Sequence, residues 1–386
     1  MNQSDQKKII NRREFLKLGL MTAATAAVGF GGLRGVLEAA EQSAVVPVYR
    51  TLGKTGLKVT VVSFGAMLTP EHEVMRAAFD LGINYVDTAR GYMGGRNEEI
   101  VGRAIKGIRD KLYIATKTHS NSKSKIINDV ETSLTKLGTD HVDVIQFHGL
   151  SRGEQVFAPE VREAFTELRK QGKVRFLGVS THTNQTEVVN AIADDKDKFF
   201  DTVLVAHNFK SPPELKKAIA RAAQAGIGVI AMKTQAGGYK TDTLGTVSPH
   251  QAALKWVLQD TNISCAIPGI RDTQMLNDNI AVMGMKLTRA DERVLDRYGA
   301  AIDPYYCHLC GQCEPTCPGG VAISVINRSL MYAEGYRNIE LARETYREIP
   351  AHASVSACLD CSKCVAHCPN GLNIAGKMEK ALRILT

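Results

Sequence analysis

The sequence predicts an α/β protein, a (β/α)8 TIM barrel followed by a smaller, mainly helical C-terminal domain. Two observations predict it. Eight short apolar runs alternate with eight amphipathic segments across about 250 residues, the count of such a barrel. Eight of the nine cysteines fall after residue 306, in two closely similar phrases that the barrel pattern does not include. The expected division is 1–47 for a signal and linker, 48–300 for the barrel and 301–386 for the tail.

The bulk numbers fit that plan. The chain has 386 residues, 44% hydrophobic and 23% charged, which is ordinary for a soluble globular protein. Formal net charge is +8. Residues 1–43 carry six Lys/Arg against four Asp/Glu, so the chain without them has +6. No basic stripe with interleaved aromatics is present, and nucleic acid is not expected as a partner. A secreted disulfide scaffold would spread its cysteines through a short chain, which this sequence does not do.

The N-terminus reads as an address. Arg12 and Arg13 precede Glu14-Phe15-Leu16-Lys17, followed by the apolar run "LGLMTAATAAVGFGGL" and the Ala-rich "LEAAEQSA". Basic start, apolar middle and small residues are the parts of an export signal. The arginine pair resembles the bacterial twin-arginine class, which implies translocation of a folded protein to the periplasm or cell envelope by the twin-arginine machinery. At 16 residues the apolar run is short for a membrane span, although retention as an uncleaved anchor stays open.

A hairpin is expected from residue 48, turning at Lys54-Thr55-Gly56. Strands are expected at 61–65, 84–88, 112–117, 142–148, 174–179, 202–206, 227–232 and 264–268. Helices are expected at 71–81, 97–106, 123–137, 157–171, 184–194, 213–225, 248–259 and 272–283. An open doubly wound sheet would call for a Gly-x-Gly-x-x-Gly turn after the first strand, and "SFGAMLTPE" has none. Cys265, in "NISCAIPG", reads as a buried strand residue.

Polar residues fall where barrel strands end, the face on which such enzymes do chemistry. Asp87 ends the second strand in "NYVDTARGY", with Tyr92 in the loop beyond it. Lys117 ends the third in "IATKT" and His148 the fourth in "DVIQFHG". These groups suit proton transfer to a carbonyl oxygen. A neighbouring ammonium is expected to lower a Tyr pKa from its usual value of about 10. The Asp would keep that ammonium charged, and the His would position the substrate oxygen.

These phrases, with the opening "YRTLGKTGLKVTVVSFG", resemble the aldo-keto reductases over residues 48–300. The resemblance implies that Asp87, Tyr92, Lys117 and His148 form the catalytic tetrad of a carbonyl/alcohol oxidoreductase acting on a small carbonyl or alcohol. It also implies an NAD(P)H site, here with departures. Ser180-Thr181 stands where Ser-Asn is usual, Leu204 where Gln is usual, and Met232 where an aromatic stacks on nicotinamide. Asn208, Lys233, Pro268, Gly269, Arg271 and Asn279 remain as nucleotide contacts, with Met275 at the position of a frequent clamping Arg.

The tail phrases "CHLCGQCEPTCP" and "CLDCSKCVAHCP" both read C-x2-C-x2-C-x3-C-P, the ferredoxin pattern for two 4Fe-4S clusters. Zinc would more often take two C-x2-C pairs on separate knuckles. By analogy with two-cluster ferredoxins, Cys307, Cys310, Cys313 and Cys368 hold one cluster, and Cys358, Cys361, Cys364 and Cys317 the other. The 40 residues between Cys317 and Cys358 read as helix, so the tail resembles the helical ferredoxins of respiratory iron–sulfur subunits. Paired clusters suit electron relay with an envelope redox partner. A non-catalytic electron-transfer module that uses the barrel as a docking platform is the other reading.

Overall fold

The computed structural model describes residues 46–239, 244 and 247–386. The twin-arginine segment expected before residue 46 lies outside the described residues. β1 (Tyr49–Thr51) and β2 (Lys58–Thr60) form the expected antiparallel hairpin, turning through Gly56 at φ +73°. Leu52, Leu57 and Val59 from this hairpin are buried with the inward residues Tyr85, Val144, Ile230 and Cys265. They plug the barrel at the end away from the site. Arg50 fixes the plug by donating to the carbonyls of Leu258, Asp260 and Ile263 at 2.6–3.0 Å.

Eight parallel strands follow in sequence order: β3 (Phe64–Gly65), β4 (Tyr85–Asp87), β5 (Tyr113–Thr118), β6 (Val142–Leu150), β7 (Val174–Thr181), β8 (Thr202–Ala206), β9 (Gly228–Met232) and β10 (Ile263–Ala266). Parallel bridges Val62↔Ala266 and Gly65↔Gly269 join the first strand's neighbourhood to the last and close the barrel. Gly65 is required at that seam, because a Cβ there would stand 2.7 Å from the Ile267 carbonyl oxygen. Cys265 is fully buried on β10, as expected.

The helices between the strands are α1 (His72–Asp80), α2 (Asn97–Ile105), α3 (Lys123–Leu137), α4 (Pro159–Lys170), α5 (Gln185–Asp194), α6 (Pro213–Gln224), α7 (Pro249–Leu258) and α8 (Thr273–Ile280). Their apolar stripes account for the packing. In α3, Ile126, Val130, Leu134 and Leu137 recur on one face and are buried against the sheet. Gly138 then ends that helix in the left-handed conformation. One further helix, α9 (Arg289–Ile302), was not among those expected. A capping box between Thr288 and Asp291 starts it.

The tail is helical, with α10 (Ile323–Glu334), α11 (Ile339–Arg347) and α12 (Ile374–Ile384). The expected long helix between the cysteine runs is thus two helices, broken at Gly335–Asn338. There Arg337 takes a positive φ, and the Asn338 side chain caps α11 by accepting from Leu341 N at 3.0 Å. The tail's apolar core includes Leu68, Ala236 and Tyr239 of the barrel, so the two parts share one interior. At this junction a Cβ on Gly335 would lie 2.0 Å from the Gly237 carbonyl oxygen, so only glycine fits. Among the described residues no helix is long and apolar enough to cross a membrane.

Candidate active site

The strand ends bring the four expected groups to the same mouth of the barrel. Asp87 is the last residue of β4, and Lys117 lies beside it near the end of β5. Lys117 Nζ donates to Asp87 Oδ1, to the Thr88 carbonyl at 2.6 Å and to Tyr92 Oη at 3.2 Å. Gln146, paired with Lys117 across β5 and β6, donates from Nε2 to the other Asp87 oxygen at 2.8 Å. Both carboxylate oxygens are therefore occupied. Burial pushes the Asp87 carboxyl up and the Lys117 ammonium down, and each is opposed by the partner's charge.

Tyr92 sits on a tight turn, Tyr92–Gly95, whose Met93 and Gly94 are in the left-handed region. The Arg90–Glu98 ion pair and the Thr88–Asn97 hydrogen bond hold the backbone on either side. The structure corrects one expectation here. Tyr92 is pushed well above 10, first by burial and then by the Asp87 charge. The nearby ammonium does not lower it, because Asp87 neutralises that charge within a desolvated site. Burial thus favours the neutral phenol at Tyr92.

His148 is at its expected place, with its ring 6.0 Å from the Tyr92 ring in an edge-on arrangement. Burial, then the neighbouring His119 and Lys117, hold its pKa well below 6.5, so the imidazole is neutral. Its Nδ1 has no partner. Sequence reasoning missed two further histidines. His119 stacks on His148 at 3.9 Å, and His182 follows at 6.3 Å. A signal for them existed: His119 lies two residues after Lys117, His182 two after Ser180, and strand side chains alternate with period two.

The tail completes the mouth. A cavity of about 40 Å³ is lined by Tyr92, His119, His148 and His182 from the barrel, and by Arg328, Tyr332, Leu341 and Glu348 from α10 and the α11 region. No pattern within the barrel could have revealed these last four.

Three of the expected nucleotide contacts, Asn208, Lys233 and Arg271, meet the tail instead. Asn208 Nδ2 donates to Tyr306 Oη at 2.9 Å and to the Lys233 carbonyl at 3.0 Å. Lys233 Nζ stands 4.6 Å over the Tyr332 ring and 5.4 Å over Tyr336. Arg271 Nη1 donates to the Tyr336 carbonyl at 2.9 Å. Asn279 accepts from Gln235 Nε2 at 2.9 Å, and Ser180 Oγ accepts from Gly149 N at 3.0 Å. Thr181 donates to the Thr183 carbonyl at 3.1 Å. Leu204 and Met232 are buried among the barrel's inward residues.

What remains between Met232, Lys233, Gly269 and Tyr336 is a second cavity of about 40 Å³. Ligand sites usually enclose about 300–1,000 Å³. In this arrangement Tyr336 of the tail lines the cleft beside Lys233. Pro268 takes part in the barrel seam, its carbonyl accepting from Gly65 N at 3.2 Å.

The eight tail cysteines are free thiols, gathered into two sets. Burial pushes the Cys307 and Cys313 thiols up, with Cys310 and Cys368 as neighbours, and it pushes Cys358 up, with Cys317, Cys361 and Cys364 as neighbours. Both neighbourhoods contain thiols of the two runs, Cys368 beside Cys307 and Cys313, and Cys317 beside Cys358. Contacts between the runs hold them so: His367 N donates to Thr316 Oγ1 at 3.0 Å, and Asn370 Nδ2 lies 3.9 Å from Cys310 Sγ. Thiols are the donors that 4Fe-4S clusters take. The set containing Cys307 adjoins the barrel, where His308 Nδ1 meets the Lys210 carbonyl at 2.9 Å and Asn184 N meets the Leu309 carbonyl at 3.1 Å. In the other set Cys361 and Cys364 are exposed.

Comparison with known proteins agrees with both halves. Residues 69–245 match the aldo/keto reductase family, and residues 306–372 match the 4Fe-4S dicluster domain. The Bacillus subtilis protein described as uncharacterized oxidoreductase YqkF is 37% identical over 149 residues, 34% of this chain and 48% of its own. The methylglyoxal reductase DkgB of Escherichia coli O157:H7 is 28% identical, over 59% of this chain and 86% of its own. The chain spans about half the length of the first curated relatives it matches, 48% and 50%. Among solved structures, an aldo-keto reductase from Klebsiella pneumoniae in complex with NADPH superposes with a TM-score of 0.55 at 26% identity, covering 66% of this chain and 95% of its own.

Proposed function

We propose that the aldo/keto reductase domain of this chain and its 4Fe-4S dicluster domain work together as one oxidoreductase, interconverting a small carbonyl compound and its alcohol. The observation that carries this reading is the chain of contacts Asp87–Lys117–Tyr92, which holds the Tyr92 hydroxyl at the mouth, 3.2 Å from the ammonium. Tyr92 is the acid–base. Kept neutral by burial, its Oη delivers a proton to the carbonyl oxygen as charge develops there. Lys117 compensates the phenolate left behind, and Asp87 with Gln146 fixes the ammonium's position. Neutral His148 supplies a hydrogen bond that orients the oxygen.

Conversion of a carbonyl to an alcohol takes two electrons and two protons. Tyr92 gives the proton that forms the O–H bond, and the two electrons with a second proton drawn from solvent form the new C–H bond as the carbonyl π bond breaks. Two 4Fe-4S clusters, held as the two thiol sets, supply single-electron transfer. The order of the sets supports that role, with an exposed one facing a redox partner in the cell envelope and the other against the barrel. A nicotinamide nucleotide, as in the Klebsiella structure, would first have to displace Tyr332 and Tyr336 from Lys233. The arginine pair at residues 12–13 supports twin-arginine export of the folded, cluster-bearing protein to the periplasm or envelope.

The test is anaerobic purification with iron, sulfide and released-nucleotide analysis, followed by carbonyl reduction driven by a reduced one-electron donor. Reduction that depends on both Tyr92 and the clusters is expected. A cluster-loaded protein that passes electrons but leaves every small carbonyl untouched would favour the docking-platform reading.

A further inference from the structure

The cavity above Tyr92 carries one cation that the barrel does not supply. Arg328, on α10, is largely buried, with its side chain 14% exposed. Among the described residues its ion-pair partner is Glu348, whose carboxylate stands 3.9 Å away and is half exposed. Arg328 Nε is buried with no acceptor. In the same cavity His148 Nδ1 and His182 Nδ1 are also buried and without partners, and His182 is 6% exposed. Lys117 is already hydrogen-bonded to Asp87, whereas the guanidinium facing the space has only the distant, half-exposed Glu348.

Buried donors without acceptors cost free energy unless a ligand satisfies them. A guanidinium is suited to the planar, two-oxygen geometry of a carboxylate. The cavity, at about 40 Å³, is small and so suits a compound of few heavy atoms. Glu348 and the half-buried Glu344 also line it, and they would repel an anion that lacked a direct partner. Arg328 provides that partner.

We propose that the substrate is a small carboxylate-bearing carbonyl or alcohol, a 2-oxo acid or its 2-hydroxy acid, and that Arg328 of the cluster domain binds its carboxylate. The carbonyl oxygen then faces Tyr92 and His148. This inference rests on the active-site reading above and adds the substrate class. It gives the tail a second task, because the domain that carries the thiols also recognises the substrate.

The test uses the full, cluster-loaded protein and two probes, pyruvate and its neutral amide, with binding followed by calorimetry under anaerobic conditions. Wild type should bind pyruvate at least about tenfold more tightly than the amide, the value of one hydrogen-bonded charge pair. Arg328→Met should abolish that preference, and Arg328→Lys should recover part of it. Glu348→Gln removes the competing carboxylate and should tighten pyruvate binding, which keeps the inference testable if Arg328→Met fails to load iron. Equal binding of both probes by wild type, or a preference that survives in Arg328→Met, would overturn the proposal. So would a Glu348→Gln protein no tighter for pyruvate than wild type. Tyr92→Phe separates the two readings, since it should stop turnover yet keep the pyruvate preference. Turnover of the amide without pyruvate binding would leave the active site standing and remove only the acid specificity.

Discussion

Asn208 Nδ2 lies 2.9 Å from Tyr306 Oη, so a side chain expected to meet a nicotinamide nucleotide instead meets the tail, one residue before the first cluster cysteine. Lys233 and Arg271 are engaged in the same way by Tyr332 and Tyr336. The barrel's cofactor cleft and the cluster domain therefore compete for one set of groups.

That competition predicts poor nucleotide binding. Leu204 and Met232 already remove a carboxamide partner and a stacking partner, and an unpaired buried polar group costs about 1–3 kcal/mol. Titration of the purified protein with NADPH and NADH, followed by fluorescence, should show no low-micromolar binding. Tight binding with steady turnover on added NADPH would mean that the tail lifts readily and the chain is an ordinary reductase.

Removal of the Tyr92 hydroxyl tests the acid–base assignment. Tyr92→Phe should fold with an unchanged melting temperature and lose roughly 10²–10⁴-fold in rate. Its phenol is held above 10 by burial, so wild-type reduction should show no loss from Tyr92 ionisation up to about pH 9. A well-folded variant with near-normal turnover would remove Tyr92 from the mechanism.

Cross-ligation makes a specific prediction for the tail. Wild type should bind about eight irons as two 4Fe-4S centres, with interacting signals by electron paramagnetic resonance of the reduced protein. Cys317→Ser should chiefly damage the centre of Cys358, Cys361 and Cys364, because Cys317 neighbours Cys358. Damage confined to the centre of Cys307, Cys310 and Cys313 would show that each run serves its own cluster.

Acid stability should depend on His207. This residue is 1% exposed, its Nδ1 has no partner, and burial pushes its pKa down to about 4, against a smaller opposing effect of Asp260. The unfolded chain, with an ordinary value of about 6.5, binds a proton between these values that the folded protein refuses. Stability contributed by neutral His207 is therefore present above about pH 6.5 and lost as pH falls towards 4. Between pH 7 and 5 the loss is about 2 kcal/mol. Urea midpoints at both pH values should show a decrement in wild type that is smaller by about 2 kcal/mol in His207→Gln; equal decrements would refute it.

Export is tested outside the fold. Arg12→Lys combined with Arg13→Lys should leave a folded, cluster-bearing protein in the cytoplasm on cell fractionation. Undiminished delivery to the envelope would refute the twin-arginine reading.

Much was legible in the sequence because it is local or periodic. Apolar runs of strand length between amphipathic stripes specify the barrel. Period-two alternation carries Asp87, Lys117 and His148 to one strand-end face, and thiol spacing marks the tail. Those patterns depend on residues within a few positions of one another. The tertiary structure alone decided how the ends meet. Arg328 reaches a cavity with Tyr92, 236 positions earlier in the chain, because Gly335 and Gly237 allow the tail to close against the loop after β9. The same contact fixed the protonation of Tyr92. Sequence neighbours suggested a phenol eased by Lys117, but burial beneath the tail and the charge of Asp87 outweigh that ammonium. Desolvation is a property of everything packed around a group, and no local pattern records it.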